Sequence, residues 1–324
     1  MSIQSTSQSS KSPQASTRSP KIGLALGCGG AKALVHMGVL KALEDHNIPI
    51  HAVAGCSMGA YVGALWATGV SAEKMIHLAA EMRDKKSLKQ LADPAVPPIK
   101  GLFYGNKAKD RLKETIGTPK IEELDRKFIA IAANLENYQR VVFNSGDLLT
   151  AVHASCAMPG IIVPVTVNDI RCVDGGVIDP VPVYALRKYS DVDYVIAIST
   201  TPSLNDIDSD LALEAIHVDS YESENLTDED ESASDWIKSK LSDLGKKYNP
   251  AAKGNMLDTL RRSLKASQIR IAHDACKNAD LSISPVCMES EWDDYERYEY
   301  FISLGAKTAL ASMDKIKQLN TPIE

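Results

Sequence analysis

The sequence predicts an α/β protein built on a mainly parallel sheet covered by helices on both faces. Short, wholly apolar runs alternate along the chain with segments of helical periodicity. Two of these runs stop at small, glycine-containing turns that lead straight into a helix, the strand–turn–helix order of a parallel sheet. The composition suits such a core, with 44% of the 324 residues hydrophobic and 24% charged. The net charge of -6, from 42 Asp and Glu against 36 Lys and Arg, argues against a nucleic-acid partner held by a broadly basic surface.

Residues 1–20 hold eight serines, two prolines and no aromatic residue, too little apolar surface to offset the entropy of ordering, and are expected to form a disordered tail. Ile22 to Leu26 reads as a buried strand that stops at Gly27-Cys28-Gly29-Gly30. Leu34, Val35, Val39, Leu40 and Leu43 then recur at helical spacing up to Asn47 and Pro49. Ala52-Val53-Ala54 leads into Gly55-Cys56-Ser57-Met58-Gly59 and a small-residue helix from Ala60 to Thr68. Phe128 to Ala133 and Arg140 to Phe143 read as strands, and Leu148 to Ala157 as a helix closed by Pro159-Gly160. Cys172-Val173 runs into Asp174-Gly175-Gly176, and Tyr194 to Ile198 is a further buried strand rich in β-branched residues.

Beyond residue 200 the character changes. Ser203 to Asp235 carries twelve Asp or Glu and no Lys or Arg, and reads as a solvated insertion. Lys238 to Arg270 carries nine basic residues against Asp243 and Asp258. Met256, Leu257, Leu260, Leu264 and Ile271 fall near one helical face there. This helix is read first as packing on the domain with its charges in water, and second as a peripheral contact for anionic lipid headgroups. Tyr295 to Leu319 is helical in pattern and is expected to pack on the same sheet. The division expected is a tail at 1–20, a main domain at 21–200, and an acidic insertion with C-terminal helices at 201–324 packing on that domain.

The six cysteines, Cys28, Cys56, Cys156, Cys172, Cys276 and Cys287, show neither a CxxC pair nor metal-ligand spacing with histidine. No metal or cofactor is expected. The chain has no run of 18 apolar residues and no charged segment leading into an apolar one at its start, so a cytoplasmic, reducing location is expected.

The chemistry is concentrated in three strings. G-x-S-x-G at Gly55 to Gly59 puts Ser57 on a sharp turn at the start of a helix, where the flanking glycines leave room and the helix dipole favours developing negative charge. Gly27 to Lys32, with Gly29, Gly30 and Ala31 at its centre, offers unencumbered N–H groups at a helix start and suits an oxyanion hole; its spacing fits neither a P-loop nor a dinucleotide fingerprint. None of the seven histidines sits in a turn suited to a catalytic base. Asp174, ahead of Gly175 and Gly176 at the end of a strand, supplies a carboxylate where α/β proteins bind ligands.

In this order the strings resemble the patatin-like phospholipase family, small cytosolic bacterial type. The glycine loop continued through Leu34-Val35-His36-Met37-Gly38-Val39-Leu40, the elbow Ala54 to Gly59, the stretch Ala154-Ser155-Cys156-Ala157-Met158-Pro159-Gly160, and Val173 to Gly176 all take part. The resemblance covers roughly residues 21 to 200. It implies a three-layer α/β/α fold and a Ser57–Asp174 dyad without histidine. It also implies an oxyanion loop of Gly29, Gly30 and Ala31, and hydrolysis of lipid acyl esters through an acyl-enzyme. Where the family usually has Arg-Gly after the glycines, this chain has Lys32-Ala33, which keeps the charge but not the planar fork. Acyl transfer through the same intermediate, or a weakly active regulator retaining the fold, are the alternatives.

Overall fold

The computed structural model describes residues 18–83, 85–202, 204, 256–285 and 290–323. The tail expected at 1–20 therefore lies outside the described residues except for its last three. The acidic stretch 203–235 lies outside except for residue 204, and the basic stretch is described from Met256 onward.

Among the described residues eight strands form one sheet: β1 (Ile22–Leu26), β2 (Ala52–Cys56), β3 (Lys127–Asn134), β4 (Arg140–Phe143), β5 (Val165–Val167), β6 (Ile170–Asp174), β7 (Tyr194–Ile198) and β8 (Leu281–Ile283). Their spatial order is β5-β6-β3-β2-β1-β7-β8, with β4 also paired to β3. The five strands from β8 to β3 run parallel. β4, β5 and β6 add antiparallel pairs at one side, so the sheet is mixed beyond β3.

The described helices are α1 (Val35–Asp45), α2 (Met58–Ala67), α3 (Ala72–Glu81), α4 (Lys85–Gln90), α5 (Asn106–Ile116), α6 (Leu148–Ser155), α7 (Val183–Tyr189), α8 (Met256–Lys277), α9 (Tyr298–Ala311) and α10 (Met313–Leu319). Alternate residues of the central strands face opposite layers. Leu24, Val53, Phe128 and Ile196 pack in the layer of α1 and α2, whereas Ala25, Ala54, Ile129 and Val195 pack under α7 and Ala272 of α8. Burial on both faces explains why these strands are apolar throughout rather than alternating. The fold is thus a three-layer α/β/α sandwich.

Local structure differs from the sequence reading in three places. Gly30 to Leu34 is a separate 3-10 turn ahead of α1. The C-terminal helical segment breaks at Ser312 into α9 and α10. α9 lies along α1 rather than on the sheet itself, with Phe301 fully buried.

α1 and α9 meet through glycines. A Cβ at Gly38 would enter the carbonyl of Ile302, and one at Gly305 the carbonyl of Val35. No helix among the described residues is long and apolar enough to cross a membrane. Replacing Gly38 by Val forces two helix backbones apart, and overpacking of this kind costs about 1–3 kcal/mol or more. The expected outcome is a lowered thermal midpoint by circular dichroism, larger than the loss for Gly69→Ala, where an added Cβ meets nothing within 4 Å and the cost is only that of a side chain at φ 85°, about 1–2 kcal/mol.

Candidate active site

Ser57 occupies the turn between β2 and α2 with φ 56° and ψ −129°. Backbone in this region costs about 1–3 kcal/mol and persists only where its surroundings hold it. Here they do. A Cβ on Gly55 would strike the backbone of Gly59 and Ala60, and one on Gly59 the carbonyls of Leu26 and Gly27, so only glycine lets the turn close this tightly. The Ser57 N–H donates to Ser155 Oγ at 2.9 Å, and the Ser155 hydroxyl donates in turn to the Ile131 carbonyl at 2.6 Å. Ser155, at the end of α6, is fully buried.

The Ser57 hydroxyl donates to Asp174 Oδ2 at 2.5 Å. Asp174 ends β6 and is 5% exposed; its N–H donates to the Ala157 carbonyl at 2.8 Å, and its Oδ1 accepts the Gly176 N–H at 2.7 Å. The Cys56 thiol lies 3.9 Å from the same oxygen. Burial pushes Asp174 up to about 6, partly opposed by the bonds from Ser57, Gly176 and Cys56. Burial also raises the Cys56 thiol well above its ordinary range, which keeps it protonated. A Cβ on Gly175 would strike the backbone of Ile131, and one on Gly176 would stand 3.0 Å from Cys28 Sγ and from Gln268 Nε2.

The acid reaches Ser57 by an unexpected route. The sequence reading sets Asp174 at the carboxyl end of a strand, where parallel sheets bind ligands, but β6 runs antiparallel to β3 and stops with Asp174 opposite Ala132. Among the described residues no histidine lines the cavity of the pair. His36 is fully buried and is pushed down to about 4 by desolvation, so it is neutral, and its Nε2–H donates to the Gly27 carbonyl at 2.8 Å. His153 pairs with the Tyr104 carbonyl at 2.9 Å.

In the glycine loop, the Gly27 N–H donates to Ile198 and the Cys28 N–H to Pro180, at 3.0 and 2.9 Å. Neither Gly29 nor Gly30 has an acceptor for its N–H among the described residues. Ala31 does: its N–H donates to the Trp292 carbonyl at 2.6 Å. The structure thus groups Gly29 and Gly30 with Ser57 as available donors but leaves the third predicted donor engaged. Lys32 is 9% exposed and pushed down to about 8, first by burial and then by the neighbouring Lys265.

Ser57, Asp174, Gly29, Gly30 and Lys32 line one cavity of about 100 Å³, closed on its far side by Leu257, Leu264, Lys265 and Gln268 of α8. The amphipathic helix read from the sequence therefore turns part of its basic face inward. A second cavity of about 700 Å³, bordered by Met58, Tyr61, Phe103, Leu112, Leu149 and Val152, shares Ile161, Glu291 and Trp292 with the first. Among the described residues no group of three His, Cys, Asp or Glu side chains could hold a metal ion. Sequence reasoning missed Ser155, Lys265, Gln268 and Trp292 as site residues. Ser155 stood inside a string already singled out, but nothing local shows that its hydroxyl meets an amide 98 positions away.

The family model of patatin-like phospholipases matches residues 24–187, a stretch that contains the glycine loop, the elbow and Asp174. The chain is 35% identical over 185 residues to an uncharacterized NTE family protein of Mycobacterium tuberculosis, which covers 57% of this chain and 50% of that protein. It is 28% identical over 178 residues to Lysophospholipase NTE1 of Meyerozyma guilliermondii, covering 55% of this chain and 12% of the relative. The match thus spans about half the length of the first relative and a small part of the second. Among solved structures, VipD from Legionella pneumophila superposes with a TM-score of 0.46 at 12% identity, covering 98% of this chain and 73% of that one. With just over half of its length matched by the family model, including the glycine loop, the elbow and Asp174, the chain belongs to the patatin-like phospholipase family.

Proposed function

We propose that this protein hydrolyses acyl esters of lipids through a Ser57–Asp174 dyad and an acyl-enzyme intermediate. The observation that carries the reading is the 2.5 Å bond between a hydroxyl on a strained turn and a buried carboxylate of raised proton affinity. A general base works best with a pKa near the operating pH, and Asp174 at about 6 suits that task better than an ordinary carboxylate. Family membership and the likeness to the yeast Lysophospholipase NTE1 support lipid esters as the substrate class.

Each step balances with residues of this chain. Asp174 Oδ2 takes the Ser57 proton as Oγ attacks the ester carbonyl carbon, and the oxyanion is held by the N–H groups of Gly29 and Gly30. Collapse breaks the ester bond, and Asp174 returns the proton to the departing alcohol. Asp174 then takes a proton from water as that water attacks the acyl-enzyme, and gives it to Ser57 Oγ when the fatty acid leaves. Ala31 joins the oxyanion donors only when the Trp292 carbonyl withdraws. The cavity of about 700 Å³ beside Met58 falls in the size range of ligand sites and takes the acyl chain, for which the cavity around Ser57 is too small.

Ser57→Ala and Asp174→Asn are each expected to lower hydrolysis of p-nitrophenyl esters by about 10⁴-fold or more, the scale of losing one member of a catalytic unit. A fluorophosphonate probe should label the wild type at Ser57 and leave Ser57→Ala unlabelled. Activity that survives in either purified variant overturns the dyad.

In the wild type, kcat/KM should fall as pH drops through about 6, because Asp174 acts as a base only when ionised. A profile flat down to the ordinary carboxylate range would show that a different group titrates.

Asp174 also bears on stability. Its folded pKa of about 6 exceeds the ordinary 3.8, so the folded state binds its proton more tightly and stability falls as pH rises between those values. Asp174→Asn should therefore melt higher than the wild type at alkaline pH, by up to about 3 kcal/mol of folding free energy, with the gap closing in acid. Thermal melts across pH check this and establish that the variant folds.

A further inference from the structure

Two cysteines flank the Ser57–Asp174 pair, one in each of the two glycine turns. Cys28 stands between Gly27 and Gly29 in the glycine loop and is 7% exposed, and Cys56 is the fully buried residue before Ser57. β1 and β2 run parallel with Leu26 opposite Gly55, so Cys28 lies two positions, and Cys56 one position, beyond the same backbone pair. Continuing the strand spacing across that offset sets their Cα atoms about 6 Å apart, inside the span of about 4.4–6.8 Å that a disulfide bridges. The sulfurs also converge on one carboxylate oxygen. The Cβ position of Gly176 is 3.0 Å from Cys28 Sγ and 3.1 Å from Asp174 Oδ1, and Cys56 Sγ lies 3.9 Å from the same Oδ1. Cys28 is near enough to help raise the proton affinity of the Cys56 thiol. Cys28 lines the cavity of about 100 Å³ and Cys56 does not, so a small solute in that cavity meets Cys28 first.

We propose that Cys28 and Cys56 are a modification site, joined by hydrogen peroxide into a reversible disulfide that switches the Ser57 site off. The effect on activity rests on the reading that Ser57 and Asp174 hydrolyse an ester; the disulfide itself does not. Cys28 gives up its proton and its sulfur attacks one peroxide oxygen. The O–O bond breaks, Cys28 becomes a sulfenic acid, and the other oxygen leaves as water with that proton. The Cys56 sulfur then attacks the Cys28 sulfur, the S–O bond breaks, and the hydroxyl leaves as water with the Cys56 proton, for which Asp174 Oδ1 is the neighbouring acceptor. Two thiols are thereby oxidised to one disulfide, and one hydrogen peroxide is reduced to two waters. The new bond draws the residue before Ser57 toward the glycine loop, which shifts the nucleophile against the Gly29 and Gly30 donors and takes the Cys56 S–H away from Asp174. Misplacement of reacting groups by about 1 Å costs about 10²-fold in rate. Exchange with a small dithiol reverses the change.

Peptide mass spectrometry of Ser57→Ala treated with hydrogen peroxide reads the bond without turnover. The expected product is a Cys28 peptide joined to a Cys56 peptide, lighter by two hydrogens than the separate thiols and parted again by dithiothreitol. In Cys56→Ala, dimedone should label Cys28 as the sulfenic acid, which checks the order of attack. In the wild type, peroxide should lower hydrolysis of a p-nitrophenyl ester by about 10²-fold, in step with the joined peptide, and dithiothreitol should restore it. Cys28→Ala should show no such reversible loss when its own rates before and after peroxide are compared. Absence of the joined peptide overturns the proposal whatever happens to activity, and so does Cys28 joined to any other cysteine. A joined peptide with hydrolysis undiminished overturns the switch. If the joined peptide forms in a wild type whose reduced form hydrolyses no ester, the Ser57–Asp174 reading fails and the switch with it, while the disulfide site stands.

Discussion

The Ser57–Asp174 hydrogen bond joins the ends of β2 and β6, two strands that β3 separates, and so it depends on the register of β3 against both neighbours. Cys56 stands opposite Ile131, and Asp174 stands opposite the next residue, Ala132. A slip of one residue on either side of β3 would turn Asp174 or the elbow to the other face of the sheet. Ile131 is involved twice more: its carbonyl accepts the Ser155 hydroxyl that holds the Ser57 amide, and Gly175 packs against its backbone. The core on both faces of the sheet, filled by Phe128 and Ile129 on alternate sides, is what fixes that register.

The site is arranged against local stability. Ser57 is held in unfavourable backbone, Asp174 is buried with raised proton affinity, and Lys32 is buried with lowered proton affinity. Each is tolerated because its surroundings are rigid. The elbow is clamped by two glycine contacts and a hydroxyl relay, and the carboxylate accepts both a hydroxyl and an amide proton. Function of this kind places groups where water would not leave them, and the apolar layers outweigh the cost.

The cavity is also assembled from chain segments far apart. The glycine loop follows β1, the elbow follows β2, the acid ends β6, and α8 and Trp292 close the space from beyond residue 255. The C-terminal part, read from sequence as packing on the main domain, shares in the site through Leu257, Leu264, Lys265 and Gln268, which neither the packing nor the lipid-surface reading of that helix had anticipated. The Trp292 carbonyl, which engages Ala31, belongs to the same late segment.

Much of this was legible from sequence because its causes are local. Unbroken apolar runs mark strands buried on both faces, and G-x-S-x-G marks a turn that only glycine can close, so the parallel core and the position of Ser57 follow from short-range sterics and burial. Asp174 was legible as a carboxylate after a strand, but not the antiparallel direction of that strand, since a three- to five-residue apolar run carries no sign of its neighbour's direction. The engagement of Ala31 by Trp292, the hydroxyl of Ser155 under the Ser57 amide, and the inward turn of Lys265 were decided by tertiary structure alone. Each is a contact between segments whose meeting is set by how the layers pack, and no local pattern of residues encodes which face of a helix, or which carbonyl of a loop, that packing will bring to the site.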